Sequence, residues 1–324
     1  MGEKVLAFES GGTNFVTGVV ERNNKEIESV NRVNISHKGE KEYISSIIET
    51  LETTLEESSV SLDEISSIGI VSAGKWDFEK GTVTPPNLPF KGKNLRIAEK
   101  VGEHFGKEVY GENDVNAGVL AEMLFGHGKT TDARFVGYLT ISTGIGLGIY
   151  DTEKDEIISG ETGQAPEVGH NIVEPNGLRC GCGGRGHWEA YGSGKGVEKL
   201  AKKMLEEDFD AKEVYDRAEE GKDEFMEVID KSAEYNAIGV GQVINAYQPG
   251  ILVFGGTPVF KSREIVFENI RDRIKHPEHE NKYTYVDDKA LPEMVVSKLG
   301  GNNILLGAGA TALKKLEGKR VYKP

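Results

Sequence analysis

His170-x9-Cys180-x-Cys182-x4-His187 gathers two thiols and two imidazoles in one short stretch, with Glu167 three residues before it and Glu189 two after. Two thiolates and two neutral imidazoles complete a closed tetrahedral zinc set, the form of a structural rather than a catalytic site. The glycine-rich loop between them cannot bury a core of its own, so a metal would supply its rigidity. The bland alternative is a loop with unrelated Cys and His. These are the chain's only two cysteines. One intervening residue disfavours a disulfide, and in a reducing compartment such a pair suits a metal better.

Other chemistry-bearing groups are spread along the chain. Glu112-Asn113-Asp114-Val115-Asn116 precedes the apolar stretch Ala117 to Phe125. Asp114 reads in two ways: a helix N-cap, or a carboxylate that takes the proton of a substrate hydroxyl, with Asn113 fixing that hydroxyl's orientation. Gly11-Gly12-Thr13 and Thr143-Gly144-Ile145-Gly146 each sit between two β-rich runs. Either is an ordinary hairpin or a nest of free N–H groups for phosphate oxygens. Two such turns at matched places in two half-chains favour the nest.

The elements that must position these groups follow from the hydrophobic pattern. Val5 to Phe8 and Phe15 to Val20 form a hairpin around the first turn, and Val136 to Ser142 with Ile145 to Tyr150 form another. Tyr43, Ile44, Ile47, Ile48, Leu51 and Leu55 mark one helix face over 40–58. Ile68 to Val71 and Ile251 to Phe254 read as buried strands, the latter ending at Gly255-Gly256. Residues 190–207, 223–247 and 303–316 are helical, and Pro-Pro-Asn-Leu-Pro at 85–89 is a rigid loop. The order strand, turn, strand, helices occurs twice, which indicates an internally duplicated α/β fold. The expected division is 1–117 and 118–302, the second domain carrying the metal loop and the last helix, about 303–324, returning to the first.

Composition narrows the class. The 324 residues are 37% hydrophobic and 28% charged, with 41 glycines, as in a folded α/β chain rather than a disordered or fibrous one. A net charge of −14 repels phosphate backbones and anionic membranes, so neither nucleic acid nor lipid is the expected partner. No apolar run approaches a membrane span, and no signal peptide is visible before Val5. The expectation is a cytoplasmic enzyme. Several apparent motifs fail. Gly128-Lys129-Thr130 lacks the leading glycine of a P-loop, since position 123 is Met. Gly181-x-Gly183-x-x-Gly186 follows no strand. His276-Pro-Glu-His279 is broken by proline. The charge run at 205–224 reads as a solvated helix face with its connecting loop.

Taken in order, Glu9-Ser10-Gly11-Gly12-Thr13-Asn14, the 112–116 box, Ser142 to Gly146, Glu167-Val168-Gly169-His170 and Cys180 to Glu189 resemble the ROK (repressor, open reading frame, kinase) family of sugar kinases and repressors. The likeness runs from Glu9 to about Ala312. It implies a two-lobed actin-like ATPase (ribonuclease H-like) fold of duplicated α/β domains, with sugar and nucleotide in an interlobe cleft. It implies Asp114 as general base, and Asn87, Asn113, Asp114, Glu167, His170 and Glu189 as sugar-binding residues. Gly11, Gly12, Thr13, Asn14, Thr143, Gly144, Gly255 and Gly256 would hold the nucleotide. Glu9 would act on Mg²⁺ through water. His170, Cys180, Cys182 and His187 would hold a structural Zn²⁺, with the second ring nitrogen of His170 turned to the sugar, so that the metal orients the substrate shell.

The expected reaction is ATP-dependent phosphorylation of a hexose, glucose first, at the 6-hydroxyl. Fructose, mannose and N-acetylhexosamines are the alternatives within the family, and a non-catalytic sugar sensor is the alternative outside catalysis. The features of the resemblance diverge. Glu9 stands where the family's glucokinases usually have Asp, and Pro166 leans toward its fructokinases. The Cys-rich loop and Pro86-Asn87-Leu88 look like glucokinases, while His187 replaces a usual third cysteine. The family's repressors carry a helix-turn-helix before the first strand, which here begins near Val5. That and the charge speak against DNA binding. A homodimer or homotetramer is expected by analogy.

Overall fold

The computed structural model describes residues 2–10, 14–34, 39–77, 80–85, 92–161, 163–275, 283–314 and, for the backbone, 320–322. Gly11, Gly12, Thr13, Pro86, Asn87, Leu88, His276 and His279 lie outside the described residues. In chain order the first elements are β1 (Lys4–Ser10), β2 (Asn14–Glu21), β3 (Glu28–Asn34), α1 (Glu40–Glu57), β4 (Ile65–Ser72), β5 (Lys75–Asp77), β6 (Thr82–Thr84), α2 (Ile97–Phe105), β7 (Val109–Glu112) and α3 (Asp114–Phe125). Then come β8 (Phe135–Ile141), β9 (Ile145–Asp151), β10 (Glu156–Ile158), α4 (Glu189–Gly192), α5 (Gly194–Leu205), α6 (Ala211–Glu219) and α7 (Asp223–Tyr247). The last are β11 (Ile251–Gly255), α8 (Thr257–Lys261), α9 (Asn269–Lys275), β12 (Glu293–Val296), α10 (Asn303–Lys314) and β13 (Arg320–Tyr322).

The chain divides into two compact units, 1–130 with 157–165 and 301–324, and 131–156 with 166–300. The boundary therefore falls after Thr130 rather than near 117. The physical reason is α3, whose apolar residues Val119, Leu120 and Ala121 are buried and which packs on α10 within the first unit. Helix α10 groups with that unit, against β1 and β4 as well as α3.

The first unit holds a sheet of order β13-β7-β4-β1-β2-β3, the second a sheet of order β10-β9-β8-β11-β12. In both, the opening pair is antiparallel and two later strands, β4 and β7 in the first sheet and β11 and β12 in the second, run parallel to its first member, while β13 joins β7 antiparallel. The duplication read in the sequence is thus a duplication of topology. Leu6, Phe8 and Phe15 pack on one face of the first sheet with Tyr43, Ile47 and Leu51 of α1. On the opposite face α10 lies very close. A Cβ on Gly69 would stand 1.9 Å from the Ala308 carbonyl oxygen, and one on Gly307 2.3 Å from that of Ala117. Only glycine permits that approach at both points.

One local reading changes. The stretch 190–207 is two helices, because Ser193 ends α4 and caps α5, its Oγ accepting from Gly196 N–H at 3.0 Å. The charge run near 205–224 is, as expected, a helix with a solvated charged face and its loop: α6, opened by a reciprocal cap between Asp210 and Glu213, buries only Val214, Tyr215 and Ala218. Among the described residues, no helix is long and apolar enough to cross a membrane.

Candidate functional site

Parallel strands point their C-terminal ends the same way, and the groups singled out in the sequence gather at those ends. In the first unit β1 ends at Glu9-Ser10 and β7 ends at Glu112. Register aligns Glu9 with Val71 and Val16, Val71 with Glu112, and Val16 with Arg32. Cross-strand partners share a face, so Glu112, Glu9 and Arg32 stand in one row. Asn113, rather than Asp114, caps α3, its Oδ1 accepting from Val115 N–H at 3.1 Å. Asp114 sits in the first turn, where Oδ1 accepts from the same N–H at 3.0 Å. Below it Glu112 is wholly buried, Oε1 accepting from Asn113 N–H at 2.9 Å and from Asn116 Nδ2 at 3.0 Å.

Burial pushes the Glu9 carboxyl up to about 7; Arg32 opposes the rise and the Asp114 charge adds to it. Two carboxylates held near one another, one of them poorly solvated, form an oxygen donor set that a hard divalent cation would relieve, and Mg²⁺ fits that chemistry. Arg32 was missed in the sequence. Its guanidinium donates to Asn302 Oδ1 at 3.2 Å, and the only signal was its place on β3, a half-exposed strand without clear alternation. Asn14, also expected near a phosphate, begins β2 opposite Asn34.

In the second unit β8 ends at Ile141 and the turn Ser142-Thr143-Gly144 leads into β9. Ser142 N–H bonds the Gly144 carbonyl at 2.9 Å, closing the turn. Gly255-Gly256 leaves the neighbouring strand β11 beside it. Gly256 has φ 103°, and a Cβ there would lie 1.9 Å from the Ile141 carbonyl oxygen. Thr143, Gly144, Gly255 and Gly256 are thus grouped at one end of one sheet, the end where α/β sheets bind ligands.

The metal candidates converge. One donor atom from each of His170, Cys180, Cys182 and His187 lies within 4.8 Å of all the others. Cys180 Sγ is 3.7 Å from His170 Nδ1, and Cys182 Sγ is 3.2 Å from His187 Nδ1. Tetrahedral zinc with these ligand types has S···N edges of about 3.6 Å, so the donors fit such an ion. A short hairpin, with Cys180 N–H on the Gly184 carbonyl at 2.9 Å, presents the thiols. Burial pushes the Cys180 thiol up to about 11, so a bound cation is what would favour its thiolate. The other ring nitrogen of His170, Nε2, is 4.0 Å from Glu167 Oε2.

Glu189 opens α4 directly after Trp188, which is fully buried and donates its indole N–H to Asn236 Oδ1 at 2.7 Å. The Glu189 carboxylate lies 3.5 Å from Cys180 Sγ through Oε1 and accepts from Ile145 N–H at 3.3 Å through Oε2. Glu167, Glu189 and the four donors therefore form one cluster beside the Ser142–Gly144 turn.

Known proteins resemble this chain over nearly its whole length. A glucokinase of Thermotoga maritima is 30% identical over 97% of this chain and 99% of its own. Among solved structures, a ROK hexokinase from Thermus thermophilus matches with a TM-score of 0.78 and 28% identity, covering 96% of this chain and 98% of that one. A ROK family glucokinase from Streptomyces griseus, in complex with glucose and AMPPNP, matches with a TM-score of 0.76 and 25% identity, covering 94% and 98%. The ROK family model spans residues 5–315. With the duplicated sheets, the donor cluster and this coverage together, the chain belongs to the ROK family and has its two-lobed, actin-like ATPase fold.

Proposed function

We propose that the protein is an ATP-dependent hexose kinase that phosphorylates glucose at its 6-hydroxyl. The observation that carries this reading is the cluster in the second unit, where His170 turns one ring nitrogen to the metal donors and the other toward Glu167, with Glu189 adjoining. A sugar is selected by hydrogen bonds that are costly to leave unmatched. Imidazole and carboxylates fixed to a rigid loop supply such partners. Fructose, mannose and N-acetylhexosamines are the substrates that a differently shaped pocket would favour.

The roles follow from each group's chemistry. Asp114, in the first turn of α3, accepts the proton of the attacking hydroxyl, and Asn113 and Asn87 orient that hydroxyl and its neighbours. Glu167, His170 and Glu189 bind further hydroxyls. The backbone N–H groups of Gly11-Gly12-Thr13-Asn14 and Thr143-Gly144, with Gly255-Gly256, hold the nucleotide. Glu9 would hold Mg²⁺ through water, and the ion, when bound, neutralises charge on the β- and γ-phosphates. His170, Cys180, Cys182 and His187 would hold Zn²⁺ as a neutral core that fixes the sugar-binding loop.

The test is nucleotide-dependent ADP release with Mg²⁺ on glucose, fructose, mannose, N-acetylglucosamine and N-acetylmannosamine in parallel. A clear glucose preference is expected. Preference for another sugar overturns the substrate and keeps the mechanism, and silence on every sugar from folded, zinc-loaded protein overturns the kinase reading in favour of a sugar sensor. Elemental analysis should find about one zinc per chain, and metal-free protein with unchanged melting and sugar affinity would count against the metal's role.

A further inference from the structure

The turn that opens β9 is gripped by the segment that carries the metal donors. Glu189 Oε2 accepts from Ile145 N–H at 3.3 Å. Gly194 N–H donates to the Ser142 carbonyl at 2.7 Å. Gly169 presses on the far side of Ile145, where a Cβ would stand 2.4 Å from the Ile145 carbonyl oxygen. Two of these three grips, those of Gly169 and Glu189, are chained to metal donors. Gly169 immediately precedes His170. Glu189 follows His187 by two residues, and its Oε1 stands 3.5 Å from Cys180 Sγ. Between the ligand and the carboxylate, Trp188 is fully buried and its backbone N–H donates to the Asn171 carbonyl at 2.8 Å, tying the two strands of the loop together.

An ion bound to His170, Cys180 and His187 would therefore fix Gly169 and Glu189 relative to one another, with Ile145 held between them. Without it, the two grips are linked only through backbone bonds between their stretches, such as that of Trp188 N–H to the Asn171 carbonyl, with nothing joining the donor side chains. A turn whose N–H groups receive phosphate oxygens must be ordered before it binds well, and ordering already supplied by one ligand lowers the cost for the next. We propose that Glu189 is a positioning residue through which filling of the His170–Cys180–Cys182–His187 cluster orders the Ser142–Ile145 turn, so that the metal and a nucleoside triphosphate bind with positive coupling. This rests on the nucleotide role given to that turn in the kinase reading. It adds to Glu189 a function that does not involve the sugar.

Coupling between two ligands is reciprocal, so it is readable from either side. The experiment uses full-length, zinc-loaded protein with no sugar present, which removes any contact of Glu189 with substrate from the result. The affinity for a non-hydrolysable ATP analogue is measured by calorimetry. Zinc affinity is then measured by competition with a chromophoric chelator, with and without saturating analogue and Mg²⁺. The expected result is that the nucleotide tightens zinc by about fivefold or more. Glu189→Ala should reduce that factor to about one while still taking up zinc, and Glu189→Gln, which keeps an acceptor for Ile145 N–H, should restore part of it. Measurable nucleotide affinity with unchanged zinc affinity overturns the coupling and leaves the kinase reading standing. No nucleotide affinity in zinc-loaded protein overturns both. A wild-type chain that takes up no zinc, or Glu189→Ala with the full factor retained, overturns the proposal as well.

Discussion

Gly144→Ala tests the site with one methyl group. Gly144 does not have a left-handed backbone, so alanine is not strained there. The added Cβ would stand 2.5 Å from Glu189 Oε2, the far end of a flexible side chain. Carbon–oxygen packing needs about 3.4 Å, so the carboxylate must retreat by about 1 Å. Its bond to Ile145 N–H, already 3.3 Å, then passes the limit of a hydrogen bond. Losing a bond to a charged group costs about 1.5–3 kcal/mol of stability in the second unit. The same retreat draws the carboxylate away from a sugar hydroxyl. That second loss, of similar size, weakens glucose binding by about 10- to 150-fold. Urea denaturation reads the first quantity and calorimetric titration with glucose the second. If stability falls but glucose affinity stays within twofold, Glu189 does not bind the sugar; if neither moves, the contact between Gly144 and Glu189 is not as described.

Asp114→Ala should lower kcat by about 10²- to 10⁴-fold with sugar affinity largely kept, and near-normal kcat in steady-state assays would remove the base assignment. Asn236→Ala strips partners from two buried groups, the Trp188 indole N–H and the Gly192 carbonyl. At about 1–3 kcal/mol each, unfolding should cost about 2–6 kcal/mol less, and a loss below about 1 kcal/mol by denaturation would contradict the account of that contact. Glu9, with its carboxyl raised from 4.5 to about 7 in the folded chain, holds its proton more tightly folded than unfolded between those values. Its contribution is therefore most favourable below pH 4.5 and is lost as pH rises through 7. In Mg²⁺-free buffer the stability of wild type relative to Glu9→Gln should fall from pH 5 to pH 8; an unchanged difference would show that Glu9 does not titrate in that window.

Legibility in the sequence followed the range of the interaction that decides each feature. The hairpin β1–β2 and the long helix α7 rest on local pattern and were readable. So was the convergence of the four His and Cys donors, because Cys and His are rare and their spacing lies within one loop. Strand β3 was not readable. Its sequence Glu-Ser-Val-Asn-Arg-Val-Asn leaves Val30 and Val33 exposed at 38% and 40%, so no apolar alternation marks it. The capping role that the sequence offered for Asp114 belongs to Asn113. The bond from Glu189 to Ile145 spans 44 residues and uses a backbone N–H, which no residue type announces. The unit boundary was misplaced because the packing of α3 on α10 joins stretches far apart in sequence.

That packing has a consequence for how the chain is made. Helix α10 covers the faces of β1, β4 and α3, yet it is synthesised after the whole block from 166 to 300. On the ribosome, the first unit emerges early with an apolar sheet face that has no cover until residue 314 leaves the exit tunnel. The second unit has its sheet and its helices α4 to α9 complete before then. The order of completion is thus reversed relative to the order of synthesis. The nascent N-terminal half must be shielded while its partner helix is still being translated. Truncation before Asn303 would leave that face permanently bare, so the block 131–300 is the part of the chain with the better claim to fold on its own.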